Sequence, residues 1–228
     1  MDAEKNLGTL AQEWADCSKC ELAGIRPPDG KVVIHGGDAP ADYLFIYDAP
    51  EKQDVLDGYP FQDSLGALLL GLILRAAFPR GSFAYAPLVG CWPYTVLPII
   101  GDMKKEQVKD RDPSVDEVEA CYPRISQIIY NIDPRVIFAV GPASWKALVR
   151  PKDRNGKTTL TDAAGELFST YVPGKLRPIR YPVMPLLSPK QIMANPSSAE
   201  HGPIAVTLEA MLRAMTYVSL LQKEDARP

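Results

Sequence analysis

A three-layer α/β/α fold with a four-stranded, mostly parallel central sheet is what this 228-residue sequence predicts. Three observations point there. Apolar runs of strand length alternate with stretches of helical period along the whole chain, the pattern of a sheet wound by helices. No internal repeat and no linker interrupts that alternation, so residues 1–228 are expected to form one domain. With 46% hydrophobic and 23% charged residues, the composition is that of a soluble chain long enough for one well-filled core.

The elements follow in order. MDAEKNLGTLAQEWADC is acidic and patterned as an amphipathic helix, not as a signal peptide. KVVIHGGDAPAD is expected to form a short strand ending in a Gly-Gly turn, with His35 as a turn residue. ADYLFIY is a buried strand, Tyr47 to Asp63 a polar loop, and SLGALLLGLILRAAF a helix. Its apolar run, Leu65 to Leu74, is too short to span a bilayer, which implies no membrane and a cytoplasmic location. In open α/β sheets ligands sit outside the carboxyl ends of the strands, so the Tyr47–Asp63 loop is the first place to look for a site. It carries Phe61 and five carboxylates: Asp48, Glu51, Asp54, Asp57 and Asp63. From periodicity alone it is equally a solvated surface loop.

Phe83 to Val89 is the second core strand, followed by a polar loop with Lys104, Lys105, Lys109 and Arg111. Ser114, with acids in the turn after it, is a helix N-cap. RVIFAV has strand length, and GPASWKALV starts a helix; Gly141 is not part of a phosphate loop, because no Gly-Lys-Ser/Thr follows. Lys152 to Lys175 is expected to be an exposed loop or irregular hairpin. RYPVMPLLSPKQIMANP gives a strand and loop, and Ile204 to Leu221 a closing amphipathic helix.

A formal charge of −3 does not advertise nucleic-acid binding. The basic residues are uneven, however: Lys146 to Arg180 holds eight Lys or Arg against three acids. Four cysteines are present, Cys17 and Cys20 as C-x-x-C, Cys91 and Cys121 alone. In a cytosolic chain they argue against disulfides. Spacing leaves open two buried thiols with a chance pair, a structural zinc site, and an iron–sulfur cluster.

The stretch YDAPEKQDVLDGYPFQDSLGALL resembles the first motif of the iron–sulfur (family 4) uracil-DNA glycosylases: Gly-Glu-Ala-Pro-Gly, six residues, Gly-x-Pro-Phe, then an Ala-Gly-x-Leu-Leu helix start. Ala49, Pro50, Gly58, Pro60, Phe61, Gly66, Leu68 and Leu69 fall on that pattern; Tyr47, Asp48, Glu51 and Asp63 depart from it. PLVGCWPY and EVEACYPRI resemble the family's third and fourth cysteine motifs. The resemblance therefore implies a [4Fe–4S] cluster on Cys17, Cys20, Cys91 and Cys121, with zinc as the alternative. It also implies DNA as partner, with a protein partner as the alternative.

Removing a base requires taking it out of the stack, stacking it, reading its edge and orienting water at the sugar. By resemblance, Phe61 stacks the base, beside Ala49 and Pro50. The family's motif glutamate becomes Asp48. Its uracil-reading asparagine becomes Pro87, which has no side-chain hydrogen bond and no backbone N–H. The histidine of its Thr-x-His-Pro becomes Ser188. DNA contacts are expected from Lys175 and Arg177 in the basic stretch and from Lys190 and Gln191 in the following loop. Two readings follow. Either Asp48 and Ser188 carry excision of a non-standard base with uracil excision weakened or lost, or the scaffold is a non-catalytic, cluster-bearing binding module.

Overall fold

Leu7, Leu10 and Trp14 recur at three- and four-residue intervals, and burying them makes α1 (Ala3–Trp14). The computed structural model describes residues 3–76, 78, 82–97, 107–197 and 202–225. A short α2 (Glu21–Ile25) follows Cys20. The KVVIHGG stretch is a strand only at its end, β1 (Gly36–Gly37). Of its earlier residues Val33 and Ile34 are buried, and the backbone is bonded elsewhere: Lys31 N–H to the Val55 carbonyl, Val33 N–H to that of Gly90 (both 2.8 Å), and the Val33 carbonyl to Arg124. β2 (Tyr43–Tyr47) is buried at every residue, as a strand covered on both faces must be.

The loop after β2 is more ordered than its polarity suggests. It contains α3 (Lys52–Asp57), opened by a Glu51–Asp54 capping box and closed by Gly58 at φ 75°. Asp63 then caps α4 (Ser64–Arg75), its Oδ1 accepting from the Gly66 N–H at 2.7 Å. β3 (Phe83–Pro87) follows. The next stretch, expected as a polar loop, forms β4 (Tyr94–Leu97) and β5 (Gln107–Asp110), a separate antiparallel pair. Lys104 and Lys105 lie outside the described residues. α5 (Val115–Ile132) starts at Ser114, which forms a capping box with Glu117, and leads to β6 (Val136–Val140) and α6 (Pro142–Leu148). Lys152 to Lys175 is not a loop throughout: it holds α7 (Leu160–Ala163) and β7 (Phe168–Val172). β8 (Ile179–Leu186), α8 (Pro189–Ala194) and α9 (Pro203–Asp225) complete the chain.

The main sheet runs β1-β3-β2-β6-β8-β7. Its four inner strands are parallel, as expected, and β1 and β7 add antiparallel edges, so the sheet has six strands. β7 escaped the sequence reading because only alternate residues, Phe168, Thr170 and Val172, are buried. The chain steps from β2 to β3 in one direction and from β3 to β6 in the other. With right-handed crossovers, that reversal puts α4 and α5 on opposite faces. α4 packs with α8 and α9, and α5 with α1. α9 is long and apolar enough to cross a membrane by length and composition. Here Thr207, Ala210, Met211, Ala214 and Val218 form one buried face of it, the spacing of a core helix.

Register sets the site. Tyr47 pairs with Pro87 on one side and Val140 on the other, and Val140 pairs with Leu186. The carboxyl ends of β2, β6 and β8 therefore finish side by side. The reversal between β2 and β6 makes this the topological switch point, where open α/β sheets bind ligands.

Candidate functional site

The chain leaves these three strand ends as Asp48–Glu51, Gly141–Pro142 and Ser188–Gln191, and between them lies a cavity of about 350 Å³. Asp48, Ala49, Pro50, Phe61, Ser188, Lys190 and Gln191, all expected at the site, line it together. Asp48 is fixed from the neighbouring strand: its Oδ1 accepts from the Ser144 N–H at 2.7 Å, at the start of α6. Burial raises its pKa to about 6, and the Ser144 N–H works in the opposite direction. Gly141 approaches closely, at φ 105°, and a Cβ there would overlap the Asp48 carboxylate.

Phe61 sits at φ 65° and is 9% exposed. One face of its ring is already occupied, stacked on Tyr85 at 4.3 Å between centroids, and Tyr47 tilts against it at 5.1 Å. Gly66 supports it from below, since a Cβ there would come within 2.6 Å of the Phe61 Cα. Ser188 is the N-cap of α8. Its Oγ accepts from the Gln191 N–H at 3.3 Å, and its own N–H donates to the Gln191 Oε1 at 2.9 Å. That capping box occupies both side chains, leaving Lys190 as the free cation of this turn.

Two expectations need correction. Pro87 does not line the cavity. After β3 the chain continues along the exit of β2, with the Leu88 N–H bonded to the Tyr47 carbonyl at 2.7 Å, so Pro87 is covered. Its carbonyl points inward to Arg124 Nη2 at 2.6 Å. Lys175 and Arg177 are exposed but lie in the turn between β7 and β8, at the amino end of β8. The cavity is at the other end of that eight-residue strand, about 26 Å away at about 3.3 Å per residue. Much of the surrounding basic stretch is also engaged: Arg150 pairs with Asp153, Lys157 with Glu166, and Arg154 bonds the Val149 carbonyl.

The far wall comes from residues outside the site motifs. Trp92, Asp110, Arg111, Asp112 and Pro113 reach the cavity because the β4–β5 pair folds over it. The Trp92 indole N–H donates to the Asp110 carboxylate at 2.8 Å, and Arg111 forms a two-pronged pair with Glu117 at 2.8 and 2.5 Å. The proximity of Trp92 to Cys91 was the only local signal. Tyr47 also lines the cavity, and its Oη is buried without a hydrogen-bond partner. In all, six carboxylates (Asp48, Glu51, Asp54, Asp63, Asp110 and Asp112) face Arg111 and Lys190. Glu51 is raised to about 7 by burial, then by Asp63 and Asp110; Asp54, which holds the Gln62 N–H at 2.7 Å, is raised to about 6, mainly by burial.

Three of the cysteines gather in a small apolar cluster, and Cys17 packs against the main core beside it. Cys91 and Cys121 are buried with Leu22 and Val89, and Cys20 packs against them. The Cys20 thiol is pushed up by burial, with Cys121 and Cys17 adding to the effect, and burial raises that of Cys91 to about 11. Among the described residues, no three Cys, His, Asp or Glu form a group tight enough to hold one metal ion. The donor set nonetheless fits an anionic metal–thiolate group. Arg124 is wholly buried one helical turn from Cys121, with its Nε unpartnered, and the Arg26 Nη1 lies 4.0 Å from the Cys91 Sγ.

An open, mostly parallel α/β sheet with an aromatic and carboxylate-lined cavity at its switch point is the arrangement in which such folds bind small ligands. The family model of the uracil DNA glycosylase superfamily matches residues 34–211, and the chain belongs to that superfamily. It is similar to the type-4 uracil-DNA glycosylase of Saccharolobus solfataricus, 28% identical over 210 residues, 91% of this chain and 84% of that one. The type-4 enzyme of Pyrobaculum aerophilum is 29% identical over 175 residues, 76% and 78% of the two chains. That of Sulfurisphaera tokodaii is 26% identical over 193 residues, 84% and 78%.

Proposed function

We propose that this chain binds DNA as one domain, takes an extruded base into the Asp48–Phe61–Ser188 cavity, and excises uracil weakly or not at all. Asp48 would orient water at the sugar carbon, and Phe61 and Tyr47 would flank the base. Lys190 would contact phosphate. The observation that carries the weak-uracil reading is Ser188. It stands where the resembled motif has histidine, and its hydroxyl is tied into the α8 capping box. A serine there donates at most one short-reach bond and cannot become cationic, so a departing pyrimidine anion loses its main stabiliser. Loss of one such donor costs about 3–4 kcal/mol of barrier. A base whose departure needs less anion stabilisation would fit this cavity better, which is the sense in which the substrate is non-standard.

Cys17, Cys20, Cys91 and Cys121 would hold a [4Fe–4S] cluster that pins the N-terminal segment to the sheet; zinc on the same thiolates is the alternative. The acidic mouth favours a second reading, a non-catalytic module whose partner is a protein, because six carboxylates repel phosphate. Ser188→His separates the two. On the enzyme reading it raises uracil release at least tenfold in single-turnover assays, despite a capping loss of about 1 kcal/mol. No gain, with no salt-dependent DNA binding by the parent chain, supports the binding module.

A further inference from the structure

Arg124 is 0% exposed, yet no carboxylate among the described residues forms an ion pair with it. Its guanidinium donates to four backbone carbonyls: Nη1 to those of Val33 (3.0 Å) and Ile34 (3.4 Å), Nη2 to those of Pro87 (2.6 Å) and Leu88 (3.0 Å). Nε is left without a partner. A buried cation without a counter-charge is costly, and carbonyl dipoles offset only part of that cost. The missing charge must come from nearby. Cys121 lies three residues earlier on α5, hence on the same helix face. Gly90, the neighbour of Cys91, presses on the same nitrogen, since a Cβ there would sit 3.3 Å from Nε. Free thiols in an apolar pocket stay neutral, whereas metal-bound thiolates carry charge.

We propose that Arg124 is the buried counter-charge of the cysteine-held group, a positioning residue that fixes the Cys91 and Cys121 thiolates against the end of β3 and raises that group's reduction potential. This rests on the cluster reading given above. Reduction adds one electron to an already anionic group, so a cation held in low dielectric favours the reduced form. The same guanidinium holds the Pro87 and Leu88 carbonyls, which ties the thiolates to the strand next to β2.

The test uses the full chain, purified without oxygen and loaded with iron and sulfide. Arg124→Met removes the charge and keeps the stem. Arg124→Gln removes the charge but keeps donors for the carbonyls, and so remains informative if the methionine variant does not fold. Either neutral variant should favour reduction about tenfold less, a midpoint drop of about 60 mV for a one-electron couple. Arg124→Lys should stay near the parent midpoint while releasing iron faster to a chelator. A neutral variant with the parent midpoint overturns the proposal and leaves Arg124 as a clamp on carbonyls. A parent chain that binds only zinc, or no metal, overturns the cluster reading and this proposal with it. That failure is visible as missing absorbance and iron before any variant is compared.

Discussion

Asp48 does two things with one carboxylate. Its Oδ1 accepts from the Ser144 N–H at the start of α6, its Oδ2 faces Gly141, and the residue lines the cavity. Burial holds its pKa at about 6, so the ionised form needed to orient water is reached only above that pH. Base release by this chain, from whichever base it accepts, is expected to rise with pH through about 6. Asp48→Asn should remove that limb and lower the rate at least a hundredfold. A rate profile flat from pH 5 to 8, or full activity in Asp48→Asn, would remove Asp48 from the chemistry. Glu51, Asp54 and Asp63 have a plainer origin: each carboxylate satisfies backbone N–H groups at a helix start or a turn. For Glu51 and Asp63, the departure from the family motif is first a matter of local folding and only then of charge.

At the scale of elements, the parallel core was legible and the edges were not. YLFIY, FAYAP and VIFAV carry no charged residue, and a buried strand has no other way to read. Ser114 and its acids announced α5 because a capping box is a local device. β7, buried at alternate residues, carries half the apolar signal, and the β4–β5 pair, with no buried residue, carries almost none. The site was legible where one loop carries it, as for Asp48 and Phe61. It was misread where tertiary register decides, as for Pro87, or where strand direction decides, as for Lys175 and Arg177. Those two cations sit at the wrong end of β8. Their joint reversal to Glu is therefore expected to leave DNA affinity within twofold, while Lys190→Glu should weaken it at least tenfold and flatten its salt dependence. Titrating a labelled single-stranded oligonucleotide at several salt concentrations checks this, and the opposite ranking would move the DNA path to the other face.

Over the whole molecule, the carboxylates gathered at the cavity mouth tie stability to pH. Glu51 is raised to about 7 and Asp48 and Asp54 to about 6, all chiefly by burial. An acid whose folded pKa is raised destabilises the fold above that pKa, and the penalty disappears below its unfolded value. Glu51→Gln should thus raise Tm most at pH 8 and by progressively less down to about pH 4.5, where the difference vanishes; a pH-independent difference would contradict this origin. The same scale poses the main question, which is whether this member of the superfamily does the family's chemistry in its cavity. The most direct measurement is single-turnover release of uracil from single- and double-stranded DNA, run beside a type-4 relative with binding followed in parallel. The account predicts DNA binding with uracil release slower than the relative by at least two powers of ten. Release at the relative's rate would contradict it.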